Sequence, residues 1–170
     1  MPRAWTPLPP LEELNTYYKY VPTTGELILK KARCCRDSSY IGKPVGNLRK
    51  RNKRMVWTIT HNKKNFYVSR IIWFLMTGID PKNLLVEHIN RNPADNRWSN
   101  LRLANSAQNG WNQVSLGFCK RKDSGKYRAR ITVNSKRIHL GNFTTREEAR
   151  QAVEKARVKY HKEFACLELS

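Results

Sequence analysis

Acidic residues are scarce in this chain, with 13 Asp and Glu against 33 Lys and Arg, and the resulting net charge of +20 over 170 residues leaves most positive side chains without a partner of opposite sign. With a pI near 10.3, that imbalance is the electrostatic footprint expected of a nucleic-acid binder. Long apolar runs are also missing. No stretch approaches the roughly 18 consecutive apolar residues of a membrane span, so the competing reading, a cationic membrane-surface protein, would need an amphipathic basic helix. The opening MPRAWTPLPPLEEL lacks the apolar core of a secretory signal, and the expected compartment is the cytoplasm. Cysteine is sparse. Cys34, Cys35, Cys119 and Cys166 form no CxxC pair, which argues against a structural zinc knot, and the adjacent Cys34 and Cys35 are expected as reduced thiols rather than a disulfide.

A chain of this length fits one large or two small domains. Residues 1–12 are proline-rich and are expected to form a poorly ordered arm leading to a short helix around Leu11–Asn15. Tyr20–Leu29 reads as strand, Gly-containing turn and strand. A basic loop follows, with Arg33, Arg36, Lys43, Arg49, Lys50, Arg51, Lys53 and Arg54 punctuated by Gly42, Pro44 and Gly46. It reads either as a phosphate-contacting surface, the favoured option, or as a solvated face. Met55–Thr60 and Asn65–Val68 flank the polar turn HNKK as a second hairpin, and Ser69–Gly78 is expected as a short buried helix closed by Gly78, with Trp73 and Phe74 in the core.

The segment EHINRNPADNRWSNLRLANSAQN, Glu87 to Asn109, carries the chemistry. His88 can take a proton from water near neutral pH, Glu87 and Asn109 offer hard oxygen ligands for a divalent cation, and Asn100 offers an amide to orient the imidazole. Leu84–Ile89 is expected as a strand, Asn90–Asn100 as a polar loop, Leu101–Leu103 as a second strand and Ser106–Asn112 as a helix capped by Asn105. Asp95 reads as a supporting carboxylate or simply a turn residue.

EHIN, DNRWSNLR and SAQN resemble the HNH endonuclease motif of phage and intron-encoded homing nucleases, its three letters falling on His88, Asn100 and Asn109. The resemblance implies a ββα-metal fold and cleavage leaving 5′-phosphate and 3′-hydroxyl ends. It also implies a metal held by the residue before the His and by the last residue. That preceding residue is usually Asp and here is Glu87. The extra methylene moves the carboxylate by about one carbon–carbon bond, whereas catalytic groups tolerate only about 0.5 Å of misplacement.

Beyond Leu116 the texture changes to GFCKRKDSGKYRARITV, SKRIHLGNF and TTREEARQAVEKARVKYHKEFA, which reads as strands followed by a helix. Lys126, Arg128, Arg130 and Thr132 alternate with Tyr127, Ala129, Ile131 and Val133, setting a cationic face against an apolar one. Thr144 with Glu147 forms a capping box, and Ala149, Ala152, Val153, Ala156 and Tyr160 form an apolar helical stripe. GKYRARI, HLGNF and EEAR resemble the plant ethylene-response-factor (APETALA-type) DNA-binding domain, whose three-stranded sheet enters the major groove. Its contact positions fall on Arg121, Arg130, Thr132, Arg137 and His139. A basic ribbon fits a groove about 12 Å wide independently of that likeness; the alternative is a face that only solubilises the chain.

The expected fold is α+β: an HNH nuclease domain with N-terminal β-hairpins over residues 1–115, then a three-stranded antiparallel sheet packed on one helix over 116–170. The expected function is site-preferring cleavage of double-stranded DNA. His88 and Asn100 are the catalytic pair, and Glu87 and Asn109 hold one divalent metal, Mg²⁺ or alternatively Mn²⁺. Expected DNA contacts are Arg121, Lys126, Arg128, Arg130, Thr132, Arg137, His139, Arg49, Arg51 and Arg54. The protein is expected as a monomer, with a dimer open. His61, His139 and His161 are expected at the surface or on DNA. A non-catalytic DNA binder on an HNH scaffold and a basic RNA-associated protein remain as alternatives.

Overall fold

The computed structural model describes residues 6–51 and 54–167, with the side chains of residues 51 and 54 outside that description. The first residues of the expected arm, Lys53, and the side-chain roles expected for Arg51 and Arg54 therefore lie outside the described residues. The chain forms two compact units, Met1–Ala104 and Asn105–Ser170, each a mixture of helices and small antiparallel sheets.

In the first unit, helix α1 (Leu11–Tyr17) runs without a break into strand β1 (Tyr18–Val21), which pairs with β2 (Glu26–Leu29) so that Tyr18 faces Leu29. Alternation buries Tyr18 and Tyr20 and exposes Lys19. Strands β3 (Asn47–Arg51), β4 (Arg54–His61) and β5 (Lys64–Tyr67) make an antiparallel meander. Arg49, Lys50 and Arg51 thus belong to a strand, not to the expected loop. Register explains this: Asn47 to Arg51 pair residue by residue with Thr58 to Arg54. The β4–β5 turn places Asn62 and Lys63 at φ 47° and 62°, the two positive values that a two-residue type I′ hairpin turn demands.

Helix α2 (Val68–Thr77) ends at Gly78, whose φ of 69° is left-handed, as its sequence position indicated. Ile71 and Ile72 are fully buried against Leu14, Tyr18, Leu27 and Leu29, each contributing roughly 1.5–3 kcal/mol by leaving water. Trp73 and Phe74 pack on this core from its edge. Arg70 then holds the approach to the next strand, donating to the Leu84 and Lys82 carbonyls, both at 2.9 Å. Strands β6 (Leu85–His88) and β7 (Leu101–Ala104) complete the unit as an antiparallel pair.

The second unit contains helix α3 (Ser106–Trp111), strands β8 (Phe118–Lys120), β9 (Tyr127–Val133) and β10 (Lys136–Phe143), and helix α4 (Arg146–His161). The sheet order is β10-β9-β8, and Ala129 lies fully buried against Ala149 and Val153 of α4. Asn105 caps α3 through a reciprocal box with Gln108. The α4 box is Thr145 with Glu148, one residue later than the sequence suggested; Thr144 instead adds its hydroxyl to the same Glu148 carboxylate at 3.0 Å. The grouping of α3 with the second unit has a cause. Trp111 stacks on His161 of α4 with centroids 4.6 Å apart, and Arg157 of α4 donates to Ser115 Oγ at 2.8 Å, so α3 and its following loop cluster with the C-terminal helix.

Two histidines expected at the surface are buried. His61 lies on the inward phase of β4, where its Nδ1 meets the Tyr18 hydroxyl at 3.0 Å and its Nε2 meets Glu13 at 2.7 Å. His161 continues the inward stripe of α4, one turn beyond Arg157, and its Nε2 lies 3.2 Å from the Thr132 carbonyl.

Candidate active site and nucleic-acid interface

Adjacent residues of a strand point to opposite faces, so β6 sends Glu87 and His88 in different directions. Glu87 is buried and faces Arg102 in the β6–β7 register. Its Oε1 lies 3.3 Å from one terminal guanidinium nitrogen and its Oε2 lies 3.4 Å from Nε. His88 is half-buried. Burial holds its imidazole below the usual histidine range, an effect only partly offset by its bond to Asn96 and by the charges of Asp95 and Glu87. Burial thus favours the neutral ring, the form a proton acceptor needs.

After β6 the chain makes a polar loop closed by asparagine side chains. Asn100 is buried and bonds within that loop: its oxygen accepts from the Asn90 N–H at 2.9 Å, and its nitrogen donates to Asn90 Oδ1 at 2.9 Å and to the Asp95 carbonyl at 2.7 Å. Asn100 was expected to orient the imidazole. Both of its amide N–H groups instead donate within the loop and shape it. The residue that meets the ring is Asn96, whose Oδ1 lies 2.9 Å from His88 Nε2. Asp95 is gripped by Arg97 through two bonds and accepts from Asn90, and the Arg97 bond is the largest cause of lowering its carboxyl to about 2.

The N-terminal hairpins and α2 brace this loop. Tyr20 donates its hydroxyl to the Asn96 carbonyl at 2.8 Å, Trp57 donates its indole N–H to the Ala94 carbonyl at 3.2 Å, and Trp73 and Trp98 pack with centroids 5.0 Å apart. Burial pushes the Tyr20 hydroxyl up to about 12, so it stays protonated and donates. Gly25 is forced by the same contact: its φ is 80°, and a Cβ there would lie 2.6 Å from the Arg97 nitrogen. Sequence reasoning had placed Asn96 in the loop without a role and had missed Tyr20, Gly25 and Trp57. The DNR triplet is a local signal for Asn96; nothing local links Tyr20 to a partner 76 residues away.

Asn109 lies on α3 in the second unit. Among the described residues no three His, Cys, Asp or Glu side chains gather into a metal-binding group. The carboxylate expected as a ligand lies 3.3 Å from the Arg102 guanidinium.

In the second unit, register puts Arg130 opposite His139, Thr132 opposite Arg137, and Arg128 opposite both Asn142 and Cys119. These residues share the sheet face opposite Ala129 and Ile131. Arg130, Thr132, Arg137 and His139 are exposed, and Arg128 is half-buried. No Asp or Glu occurs within the three strands. Arg121 is paired with Asp123 in the β8–β9 turn, and Lys126 is exposed just before β9. In the first unit Arg49 is exposed on β3. No helix among the described residues is long and apolar enough to cross a membrane.

A family model described as HNH endonuclease matches residues 66–111, from the end of β5 through α3. That match supports an HNH nuclease. No curated protein and no solved structure matches the chain.

Proposed function

We propose that the protein is a site-preferring, homing-type endonuclease that hydrolyses phosphodiester bonds of double-stranded DNA with His88 as general base. The observation that carries this reading is the placement of His88, half-buried and 2.9 Å from Asn96 Oδ1, inside the segment that matches the endonuclease family. Held as its Nε2–H tautomer, the ring presents Nδ1 as the nitrogen that takes the proton from the attacking water. The DNA backbone is to be held by cations, and each unit carries its own. Arg128, Arg130, Arg137 and His139, with Thr132, offer an acid-free sheet face on the second unit, with Lys126 and Arg121 beside it, and Arg49 is exposed on β3 of the first unit. A divalent ion, Mg²⁺ or Mn²⁺, is the cofactor usual for such nucleases. Glu87, the carboxylate expected to hold it, lies against Arg102, and none of the steps above passes through a metal.

The Glu87–Arg102 pair also favours a second reading, in which the protein binds DNA on an HNH scaffold without cutting it. One assay separates the two. Supercoiled plasmid is incubated with the protein and Mg²⁺ or Mn²⁺, with and without chelator, beside His88→Ala. Open-circle or linear product from the wild type alone supports the nuclease; a shifted but intact plasmid in every lane supports the scaffold.

A further inference from the structure

We propose that Asn96 is the positioning residue for His88, fixing the imidazole as its Nε2–H tautomer, and that Tyr20 holds Asn96 in place from outside the segment matched by the family. The proposal rests on the reading of His88 as general base and assigns how that base is aimed. An amide oxygen only accepts, so the ring nitrogen it faces at 2.9 Å is the one that carries hydrogen, and the lone pair falls to Nδ1. Asn96 is 4% exposed, which leaves its side chain little freedom to swing away.

Its backbone is fixed from two directions. The Tyr20 hydroxyl donates to the Asn96 carbonyl at 2.8 Å. The β1–β2 turn presses on the same peptide, since a Cβ on Gly25 would lie 2.7 Å from the Asn96 carbonyl carbon. The two loop asparagines thus divide the work: Asn100 closes the loop onto Asn90 and Asp95, and Asn96 aims the ring. Trp57, also outside the matched segment, adds a third tie through the Ala94 carbonyl. A catalytic His presenting the wrong tautomer loses up to about 10⁴ in rate, so an orienting bond of this kind has consequences far larger than its own strength.

The test uses the full-length protein and two readouts. Long-range ¹⁵N–¹H spectra near pH 7.5, with His88 assigned by comparison with His88→Ala, are expected to show the Nε2–H form in the wild type and a mixed form in Asn96→Ala. A wild-type ring protonated on Nδ1 overturns the proposal, and this outcome depends neither on the folding of Asn96→Ala nor on cleavage activity.

In plasmid cleavage, Asn96→Ala is expected to lower kcat by on the order of 10²-fold, within the range that orientation of a catalytic His commands, with KM for DNA little changed. Asn96→Asp keeps an acceptor oxygen facing Nε2 and is expected to recover most of that loss, whereas Tyr20→Phe loses activity to a smaller degree than Asn96→Ala. Wild-type kcat in Asn96→Ala, alongside an inactive His88→Ala, overturns the positioning role while leaving the general base intact. Undiminished cleavage by His88→Ala instead overturns the general-base reading, and the spectra still decide whether Asn96 orients the ring.

Discussion

Glu87 and Arg102 stand directly opposite each other in the β6–β7 ladder and close an ion pair at 3.3 Å in which the carboxylate side chain is 4% exposed and the guanidinium 16%. Removing one partner of such a pair strands the other charge in a poorly solvated place, at a cost of about 3–5 kcal/mol. Glu87→Gln is therefore expected to lower stability by about 3 kcal/mol, the low end of that range because both contacts are long. The metal concentration giving half-maximal cleavage should not move. Denaturant unfolding and a metal titration on the same variant check both halves. A metal requirement raised several-fold with an unchanged unfolding midpoint would return Glu87 to the role of ligand.

His88→Ala is expected to abolish cleavage while leaving DNA affinity within a few-fold. General-base catalysis supplies about 10²–10⁴ in rate, whereas phosphate attraction is spread over many cations elsewhere. Single-turnover cleavage and a binding isotherm on the same preparation test this. Near-normal cleavage would move the active site out of the loop after β6.

The elements that carry the site were legible because their signals are local. Gly78 marks the end of α2 by its left-handed conformation, Asn105 marks the start of α3, and the period-two alternation of Arg128, Arg130 and Thr132 marks β9. Partner choice was not legible. Whether Glu87 meets a metal or Arg102 depends on strand register, and whether His88 meets Asn100 or Asn96 depends on which way a loop of near-identical amides folds. His61 misled for a related reason. A polar turn sequence signals a hairpin tip, but burial of its first residue is decided by α1 and β1, which bring Glu13 and Tyr18 to it from more than 40 residues away.

Acidification should weaken the second unit through His161. Burial holds this imidazole below its usual range, with the nearby Arg157 charge acting in the same direction and the bond to Thr132 opposing. The unfolded chain binds that proton more readily, so stability is complete above the unfolded value of about 6.5 and falls as pH drops through the folded value. Thermal unfolding at pH 7.5 and 5.5 should show a loss at the lower pH that shrinks in His161→Gln. An equal loss in that variant would assign the acid sensitivity to other groups.

Arg130 and Arg137 flank one another on the exposed sheet face, next to His139 and Thr132. Each phosphate neutralised by a cation contributes a slope of about −0.9 to the logarithmic salt dependence of binding. If either arginine contacts phosphate, its replacement by Ala should flatten that slope by about 0.9 on every sequence. If Arg130 instead reads a guanine edge, Arg130→Ala should cost about 1–3 kcal/mol at the preferred site and little elsewhere. Unchanged slope and unchanged preference in both variants would remove this face from the DNA interface.

Gly25 and Gly42 separate backbone strain from support of the active-site loop. Their φ values are 80° and 79°, so an alanine at either place is strained to a similar degree, on the order of 1–3 kcal/mol. Their surroundings differ. A Cβ at Gly42 meets nothing within 4 Å, whereas one at Gly25 falls 2.6 Å from the Arg97 nitrogen and 2.7 Å from the Asn96 carbonyl carbon. Those are backbone atoms, which cannot swing aside as a side-chain tip would, so Gly25→Ala must push the loop that carries Asn96. Both variants should lose thermal stability, and Gly25→Ala should also lose kcat at saturating DNA while Gly42→Ala keeps it. Equal kcat in the two would mean that the β1–β2 turn contributes stability alone and that the loop finds its geometry without it.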